Sequence, residues 1–544
     1  MRNSVKNRTN NVKIKSEKLS KTHVIPTHNI KYNQDTIPFL KELLDKKDNY
    51  TTEQILYSVG KKLLGYDLEE YNKYNSDLDI NIPDNTIKEH DLLGTIYQYL
   101  TPKNIRLDKG SFYTSENMIE SIIKNEIITE SDTIFDPSCG SGNLLFTSKV
   151  KNPEQIYGVD LDEIAIMCCK FNYYLKFGRT APAPKIYCMD YFDYIEKFKQ
   201  KYDYVINNPP FGATLDVSKM SRFTVDTEDS LTFFVEHCSK LSNKKSIFIL
   251  PESVTNVKKH TKLRKWLLDN VNLSKINSFG SNFSGTIFPI ISMIVDNTST
   301  SNTLIYDNKL VNKQLYYTLP FYYFRPISEE DQKFIIKIFN KKTQSLKDSV
   351  FGLGIVTGNN KKYVFNDEDP KYIKTLTGKN ITKYNIVGKP KYINQDLNLY
   401  QQVANEDLYK TKGKFIYKVV SNDLNFVLDN EGVYTLNSAN FFIPKNLTIT
   451  NKCLLALLNS EIYDKLNKLL FGENKVSKLN LQNLPIPSLN ETTKLKLEKA
   501  IDDKKYEIVN EILHDYFELD KDIDLSKFTL KFDSNTEMTL DFFE

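Results

Sequence analysis

Short apolar runs alternate with helical patterns through the middle of the chain. The runs lie at 133–135, 156–159, 185–188, 202–206, 246–250, 275–279 and 290–295, and the helical patterns lie at 117–126, 161–177, 230–241 and 261–269. Apolar strands that alternate with helices predict a Rossmann-like α/β fold, a doubly wound and mostly parallel sheet covered on both faces. We assign this domain to residues 105–300.

The flanking regions have different patterns. Residues 36–104 are predicted to form an N-terminal helical region, and 301–340 a connector. Residues 341–490 are predicted to form an α+β domain, and 491–544 an acidic helical tail because leucine and isoleucine recur at helical spacing over 495–513. Residues 1–35 carry eight basic and two acidic residues with few apolar ones, which predicts a disordered basic tail.

Charge is distributed unevenly along these regions. The whole chain of 544 residues has 73 Lys and Arg against 69 Asp and Glu, a net charge of +4, which excludes a histone-like polycation. Residues 341–490 hold 21 lysines and 13 acidic residues, a local charge of +8. Residues 491–544 hold eight lysines and 15 acidic residues, a local charge of −7. A basic block of this kind is compatible with contacts to nucleic acid phosphates.

Composition also argues against a membrane-spanning or secreted protein. No stretch approaches the length of an apolar membrane span, and the N-terminus has no signal-peptide pattern, so we expect no membrane partner. The six cysteines show neither CxxC pairs nor metal-ligand spacing, which favours reduced thiols in a cytoplasmic protein without a metal site.

The first apolar run ends in a glycine-rich turn, Asp136-Pro-Ser-Cys-Gly140-Ser-Gly142. Amides at such a turn can face an anionic ligand group, and the two glycines allow close backbone approach. The spacing departs from the dinucleotide GxGxxG pattern because Leu145 occupies the third glycine position. The turn therefore favours a smaller nucleoside cofactor, and a plain strand–helix turn is the alternative.

Acidic residues follow the next two runs. Asp160 ends the second and suits a ribose diol, which needs hydrogen-bond acceptors. Asp190 follows the third, where it can accept from an adenine amino group while Phe192 packs on the ring. Each acid alone fits a helix N-cap. Three acids on consecutive strand ends favour a nucleoside site.

The fourth run ends in Asn208-Pro-Pro-Phe211. The exocyclic amine of a base is a poor nucleophile because its lone pair is delocalised into the ring. The Asn208 side-chain oxygen and the Pro209 carbonyl can accept both amine hydrogens and so favour a pyramidal nitrogen. Phe211 can stack on the base. A tight turn is the alternative for an isolated motif of this kind.

Together these strand ends resemble those of the gamma-class AdoMet-dependent DNA N6-adenine methyltransferases, which have the class I methyltransferase fold. Asp136-Pro-Ser-Cys-Gly-Ser-Gly resembles their cofactor turn, Asn208-Pro-Pro-Phe their catalytic motif, and Gly110-Ser-Phe-Tyr-Thr114 the element that precedes the turn. The elements Gly354-Ile-Val-Thr-Gly358, Gly378-Lys-Asn-Ile381 and Asn483-Leu-Pro-Ile-Pro487 resemble a TaqI-like or type I target-recognition domain.

The resemblance implies S-adenosyl-L-methionine (AdoMet) as cofactor, double-stranded DNA as substrate and a flipped-out adenine as target. The implied cofactor-binding residues are Tyr113, Thr114, Asp136, Ser138, Gly140, Gly142, Asp160, Leu161, Asp190 and Phe192. The implied target-base residues are Asn208, Pro209, Pro210 and Phe211, with Phe288 as a second aromatic wall. A cognate restriction endonuclease is a further candidate partner.

Other functions stay open at this point. The chain could be the modification subunit of a type I complex that relies on a separate specificity subunit. It could also combine restriction with modification, because Asp45-Lys-Lys47 and Asp502-Asp-Lys504 fit a nuclease half-motif. Methylation of RNA or of a protein glutamine uses similar chemistry, and a non-enzymatic DNA-binding module is the remaining alternative.

Overall fold

The computed structural model describes residues 34–86, 91–102, 114, 116–147, 149–211, 224–225, 229–280, 289–472 and 475–523. Its strands are β1 (Ile134–Asp136), β2 (Ile156–Asp160), β3 (Lys185–Cys188), β4 (Tyr202–Asn207), β5 (Ser242–Pro251), β6 (Leu273–Gly280), β7 (Ile290–Asp296), β8 (Thr303–Tyr306), β9 (Lys309–Asn312), β10 (Thr343–Gln344), β11 (Val350–Gly352), β12 (Tyr372–Leu376), β13 (Lys391–Asn394), β14 (Lys414–Lys418), β15 (Phe426–Asp429), β16 (Tyr434–Thr435), β17 (Ala439–Ile443) and β18 (Ile486–Pro487).

Its helices are α1 (Thr36–Lys46), α2 (Thr52–Leu64), α3 (Leu92–Leu100), α4 (Glu116–Ile123), α5 (Asn143–Thr147), α6 (Glu163–Phe177), α7 (Tyr191–Phe198), α8 (Ser230–Leu241), α9 (Ser253–Asn256), α10 (Thr261–Asn270), α11 (Glu329–Phe339), α12 (Asn360–Tyr363), α13 (Glu406–Lys410), α14 (Asn451–Asn459), α15 (Glu461–Phe471), α16 (Lys478–Gln482), α17 (Glu491–Asp502) and α18 (Val509–Phe517). None of the described helices is long and apolar enough to cross a membrane.

Strands β1 to β9 form one sheet in the order β3-β2-β1-β4-β5-β7-β6-β8-β9. β1 pairs in parallel with β2 and β4, whereas β7 lies antiparallel between β5 and β6. The chain leaves β1 toward β2 and β3 and returns as β4 on the other side of β1. The carboxyl ends of β1 and β4 therefore flank a topological switch point, where ligands bind in open α/β sheets. The predicted doubly wound, mostly parallel sheet is confirmed.

Both faces of this sheet are covered, which explains the continuous apolar runs of its strands. Ile134, Ile156 and Ile247 are completely buried in one core cluster. Helix α6 contributes Ile166 to that cluster and Phe171 to a second one, formed with the N-terminal helices. A helix covered on two sides is apolar over most of its circumference. For this reason its buried positions run almost without interruption from 165 to 173.

The N-terminal region is helical, as predicted. Helix α2 begins with a capping box, in which the Thr51 side chain accepts from the Gln54 amide and the Gln54 side chain accepts from the Thr51 amide. Buried residues of α1, α2 and α3 form the second core cluster against α6. The burial of Leu40, Ile55 and Leu93, none of which is exposed, anchors these helices to the sheet domain.

The chain divides into two compact units, of which the first runs through Leu310 and includes Tyr323–Pro326. The second comprises Val311–Tyr322 and the described residues from 327 onward. The second unit has α+β architecture, as expected, with a four-stranded sheet in the order β11-β17-β14-β15 and a three-stranded sheet in the order β13-β12-β16. In its acidic tail, α17 packs against α14 and α18 against α15.

Candidate active site

The turn after β1 surrounds a buried carboxylate. The Asp136 side chain is not exposed at all, and its Oδ1 accepts hydrogen bonds from the Ser138 amide (3.0 Å) and the Asn207 side chain (3.3 Å). No described residue donates to the buried Oδ2. Burial raises the pKa of Asp136 to about 7, although the hydrogen bonds from Ser138 and Asn207 oppose that rise. A cationic ligand group would favour the ionised form of this carboxyl.

We expect Asp136→Asn to remove a pH dependence of stability. The raised pKa means that the folded chain keeps a proton that the unfolded chain has released, so the free energy of unfolding falls as pH rises from about 4 to about 7. Asparagine cannot ionise, and the variant should gain stability relative to the wild type over that interval and no more above it. Thermal denaturation of both chains without cofactor measures the difference, and a difference independent of pH would contradict this assignment.

The glycines of the turn allow its unusual backbone. Gly140 and Gly142 have φ angles of +53° and +87°. Residues other than glycine rarely adopt this region of backbone conformation. The Gly140 amide donates to Asp160 Oδ2 at 2.8 Å. This amide therefore bonds within the protein, and contact of other amides of the turn with an anionic ligand group stays a prediction. The sequence could not reveal this bond because its two ends are 20 residues apart.

Asp160 ends β2 beside this turn. Its Oδ1 accepts from the Asp162 amide at 2.9 Å, and burial raises its pKa. A carboxylate oxygen has two lone-pair sites, so these two backbone hydrogen bonds leave acceptor capacity for a diol. Leu161, the next residue, is 71% exposed and has an apolar side chain available for contact with a ligand.

A helix with a side-chain N-cap follows the end of β3. Asp190 accepts from the Phe192 amide at 2.8 Å and is the N-cap of α7, which matches the structural role that sequence reasoning kept as its alternative. Phe192 is buried and packs against Tyr191, with ring centroids 5.8 Å apart. A role of Asp190 and Phe192 in adenine binding stays a prediction.

The Asn208-Pro-Pro-Phe211 segment follows β4 directly and contacts the β1 turn. The Ser138 hydroxyl donates to the Asn208 carbonyl at 3.1 Å, and the Asn208 side chain donates to the Thr114 hydroxyl at 3.2 Å. Pro209 is buried, while Asn208 and Phe211 are half-buried. Three predicted site residues, Thr114, Ser138 and Asn208, therefore meet between β1 and β4.

Sequence reasoning missed Asn207, the last residue of β4. Its side chain is not exposed and donates to Ser138 Oγ (2.8 Å) as well as to Asp136. It thereby joins the turn after β1 to the segment that follows β4. A polar residue in the last position of a buried strand was the signal, but its partners lie about 70 residues earlier in the chain.

Other predicted positions lie outside the described residues. These are Tyr113, Phe288, most of the basic tail and most of the loop 212–228. Two described residues of this loop are held by Glu236, which accepts from the amides of Thr224 (2.9 Å) and Val225 (2.8 Å). Sequence reasoning also missed Glu236, because only the fold brings its buried carboxylate to this loop.

In the second unit, two of the glycine elements meet the loop 436–440, which includes the first two residues of β17. The Gly378 amide donates to the Ser438 hydroxyl at 2.9 Å, and the Gly354 amide donates to the Asn440 side chain at 3.0 Å. The third element contributes β18, which pairs with β10. Three segments far apart in sequence therefore belong to one folded unit.

The lysines of 341–490 differ in burial and in pairing. Lys414 is fully buried and pairs with Asp429, whose carboxylate also accepts from three backbone amides. The exposed Lys379 and the half-buried Lys418 lie next to the loop 436–440, and within the described ranges neither forms an ion pair. The buried pair supports the fold, whereas these two lysines leave cationic groups for a polyanion.

Residues of the two nuclease half-motifs form contacts within their own units. Lys47 donates to the Leu100 carbonyl at 2.8 Å in the first unit. Asp502 forms an ion pair with Lys452 at 2.6 Å in the second. Within the described residues, no group of three or more His, Cys, Asp or Glu side chains could hold a metal ion.

Known protein families match the middle of the chain and its C-terminal part. The N-6 DNA Methylase family matches residues 88–391, and the TaqI-like C-terminal specificity domain matches residues 373–486. The type II methyltransferase M.VspI of Vibrio sp. (strain 343) is 27% identical over 309 residues, which cover 54% of this chain and 75% of M.VspI.

Two further proteins match over a smaller share of the chain or at lower sequence identity. The methylase subunit of the type I restriction enzyme MjaIX of Methanocaldococcus jannaschii is 32% identical over 140 residues, 23% of this chain and 24% of that subunit. Among solved structures, the type IIL restriction-modification enzyme MmeI in complex with DNA aligns with a TM-score of 0.48 and 13% identity, over 91% of this chain and 92% of that one.

Proposed function

Because the chain belongs to the N-6 DNA methylase family, we propose that it transfers the methyl group of AdoMet to N6 of an adenine in double-stranded DNA. The observation that carries this proposal is the contact between the two strand ends. The Ser138 hydroxyl of the cofactor turn donates to the Asn208 carbonyl at 3.1 Å, so the candidate methyl donor and acceptor sites adjoin.

The residues of the first unit fit AdoMet. The buried Asp136 Oδ2, to which no described residue donates, suits the cationic methionine end. The remaining lone pairs of Asp160 suit the ribose hydroxyls. Leu161 and Phe192 supply apolar contacts for the adenine. When bound, AdoMet supplies a methyl group that its sulfonium has already activated.

The protein's own task is to present the target nitrogen. The adenine must leave the duplex, which costs a few kcal/mol of unstacking. Stacking on Phe211 offsets part of that cost. The Asn208 side-chain oxygen and the Pro209 carbonyl accept the two N6 hydrogens, which favours a pyramidal nitrogen and frees its lone pair. The surplus proton leaves to solvent after transfer.

Selection of a DNA sequence belongs to the second unit in this proposal. The match to a TaqI-like specificity domain over residues 373–486 supports it. Lys379 and Lys418 beside the loop 436–440 are our candidates for phosphate contacts, and the exposed Asn437 is a candidate for base contacts. Binding that depends on such lysines should weaken as salt concentration rises.

The direct test is to produce the chain in a host without adenine methylation and sequence the host DNA with modified-base detection. We expect N6-methyladenine at one recurring sequence, and none in cells that carry the empty vector. Unmethylated DNA from cells that contain the folded, AdoMet-binding chain would contradict the proposal. Methylation by the purified chain only after a partner subunit is added would favour the type I alternative.

A further inference from the structure

The N-terminal helices reach the cofactor turn through one carboxylate. Asp91 is the N-cap of α3 and adopts a left-handed backbone conformation with φ of +45°, which aspartate tolerates better than most residues. Its Oδ1 accepts from the Gly94 amide (2.8 Å) and the Asn172 side chain (2.7 Å), and its Oδ2 accepts from the Ser141 hydroxyl. Ser141 stands between the two glycines of the turn, so Asp91 holds the turn from outside the sheet domain.

A second polar contact ends beside Asp160. The Tyr97 hydroxyl of α3 donates to Asp162 Oδ2. Asp162 caps α6 through its other oxygen, which accepts from the Ile164 amide at 3.0 Å, and its own amide donates to Asp160 Oδ1 at 2.9 Å. Tyr97 is therefore linked to Asp160 through one intermediate residue.

Other polar contacts between the same two regions end elsewhere. Lys170 of α6 pairs with Glu70 at 2.6 Å, and Lys73 pairs with Glu163 at 2.5 Å. These pairs are partly exposed, and such pairs contribute little to stability. Apolar packing already fixes α3 against α6, so Asp91 and Tyr97 are not needed merely to join the two regions.

We propose that Asp91 and Tyr97 are positioning residues of the AdoMet site, which act through Ser141 and Asp162 on the glycine turn and on Asp160. The inference rests on the proposed function, because it assumes AdoMet as the cofactor. It makes the N-terminal helical region a part of the cofactor site. Removing either contact lets the turn or the end of β2 shift, and affinity falls although neither residue touches the ligand.

The test measures AdoMet binding by the full chain with calorimetry. We expect Asp91→Asn and Tyr97→Phe each to raise the Kd for AdoMet by about 3- to 30-fold, the range found for residues that act at a distance. The KM for AdoMet should rise in parallel, while kcat at saturating AdoMet should stay near the wild-type value. Glu70→Gln is the matched control and should leave the Kd unchanged.

A double-mutant cycle separates positioning from general destabilisation. Ser141→Ala should raise the Kd as Asp91→Asn does, and the double variant should be little worse than either single one, because both remove the hydrogen bond from the Ser141 hydroxyl to a charged carboxylate. Additive effects, or unchanged affinity in Asp91→Asn and Tyr97→Phe, would overturn this inference but leave the proposed function standing. Failure of the wild-type chain to bind AdoMet would overturn the proposed cofactor and this inference together. Thermal denaturation identifies any variant that has not folded, and Tyr97→Phe removes only one hydroxyl.

Discussion

Asn208→Ala is expected to lower the rate of methyl transfer by about 10²- to 10³-fold while AdoMet binding stays near the wild-type level. The Asn208 side chain would hold one N6 hydrogen only as the nitrogen becomes pyramidal, so its loss acts mainly on the transition state. Removing one such hydrogen bond from an active site typically lowers kcat by about 10²- to 10³-fold. Transfer of a radiolabelled methyl group to DNA measures the rate, and calorimetry measures the affinity for AdoMet.

Asn208→Asp is the informative control. It keeps an acceptor oxygen in the same place. We expect it to retain clearly more activity than Asn208→Ala. The contact of Asn208 with Thr114 is lost in the alanine variant as well, so Thr114→Val shows how much of the effect belongs to that contact. Normal turnover by Asn208→Ala would rule out the proposed role.

Asp160→Ala is expected to weaken AdoMet binding by about 10- to 100-fold, the loss typical of a hydrogen bond to a charged group. The substitution removes the proposed acceptors for the ribose diol. It also leaves the amides of Gly140 and Asp162 without their observed acceptor, so the turn loses a support. Calorimetry with AdoMet measures the affinity directly.

Two control variants test whether the loss of affinity comes from the Asp160 carboxylate. Asp160→Asn keeps one acceptor oxygen and should lose less affinity than Asp160→Ala. Glu154→Ala removes an exposed acid that precedes the other end of β2 and should bind AdoMet like the wild type. An Asp160→Ala chain that folds and binds AdoMet normally would show that the ribose is held elsewhere.

Much of the sheet domain could be predicted from sequence because its central strands, such as β1, β4 and β7, are buried on both faces. Apolar runs identified β1 to β7, and the residues after them identified the strand ends that carry the candidate site. The short strands β8 and β9 were not predicted. They have only four residues each, and the exposed Ile305 and Leu310 stand where an alternating strand pattern would have polar residues.

The sequence by itself indicated an adenine-specific DNA methyltransferase, because the residue types proposed for cofactor and target base follow successive strands in short, contiguous motifs. Only the tertiary structure decided how these motifs support one another. Asn207 meets Asp136 across 71 residues, and Asp91 meets Ser141 across 50. Neither pair has a sequence signal, because a hydrogen bond depends on where two side chains lie in space, and the fold sets that distance independently of their separation along the chain.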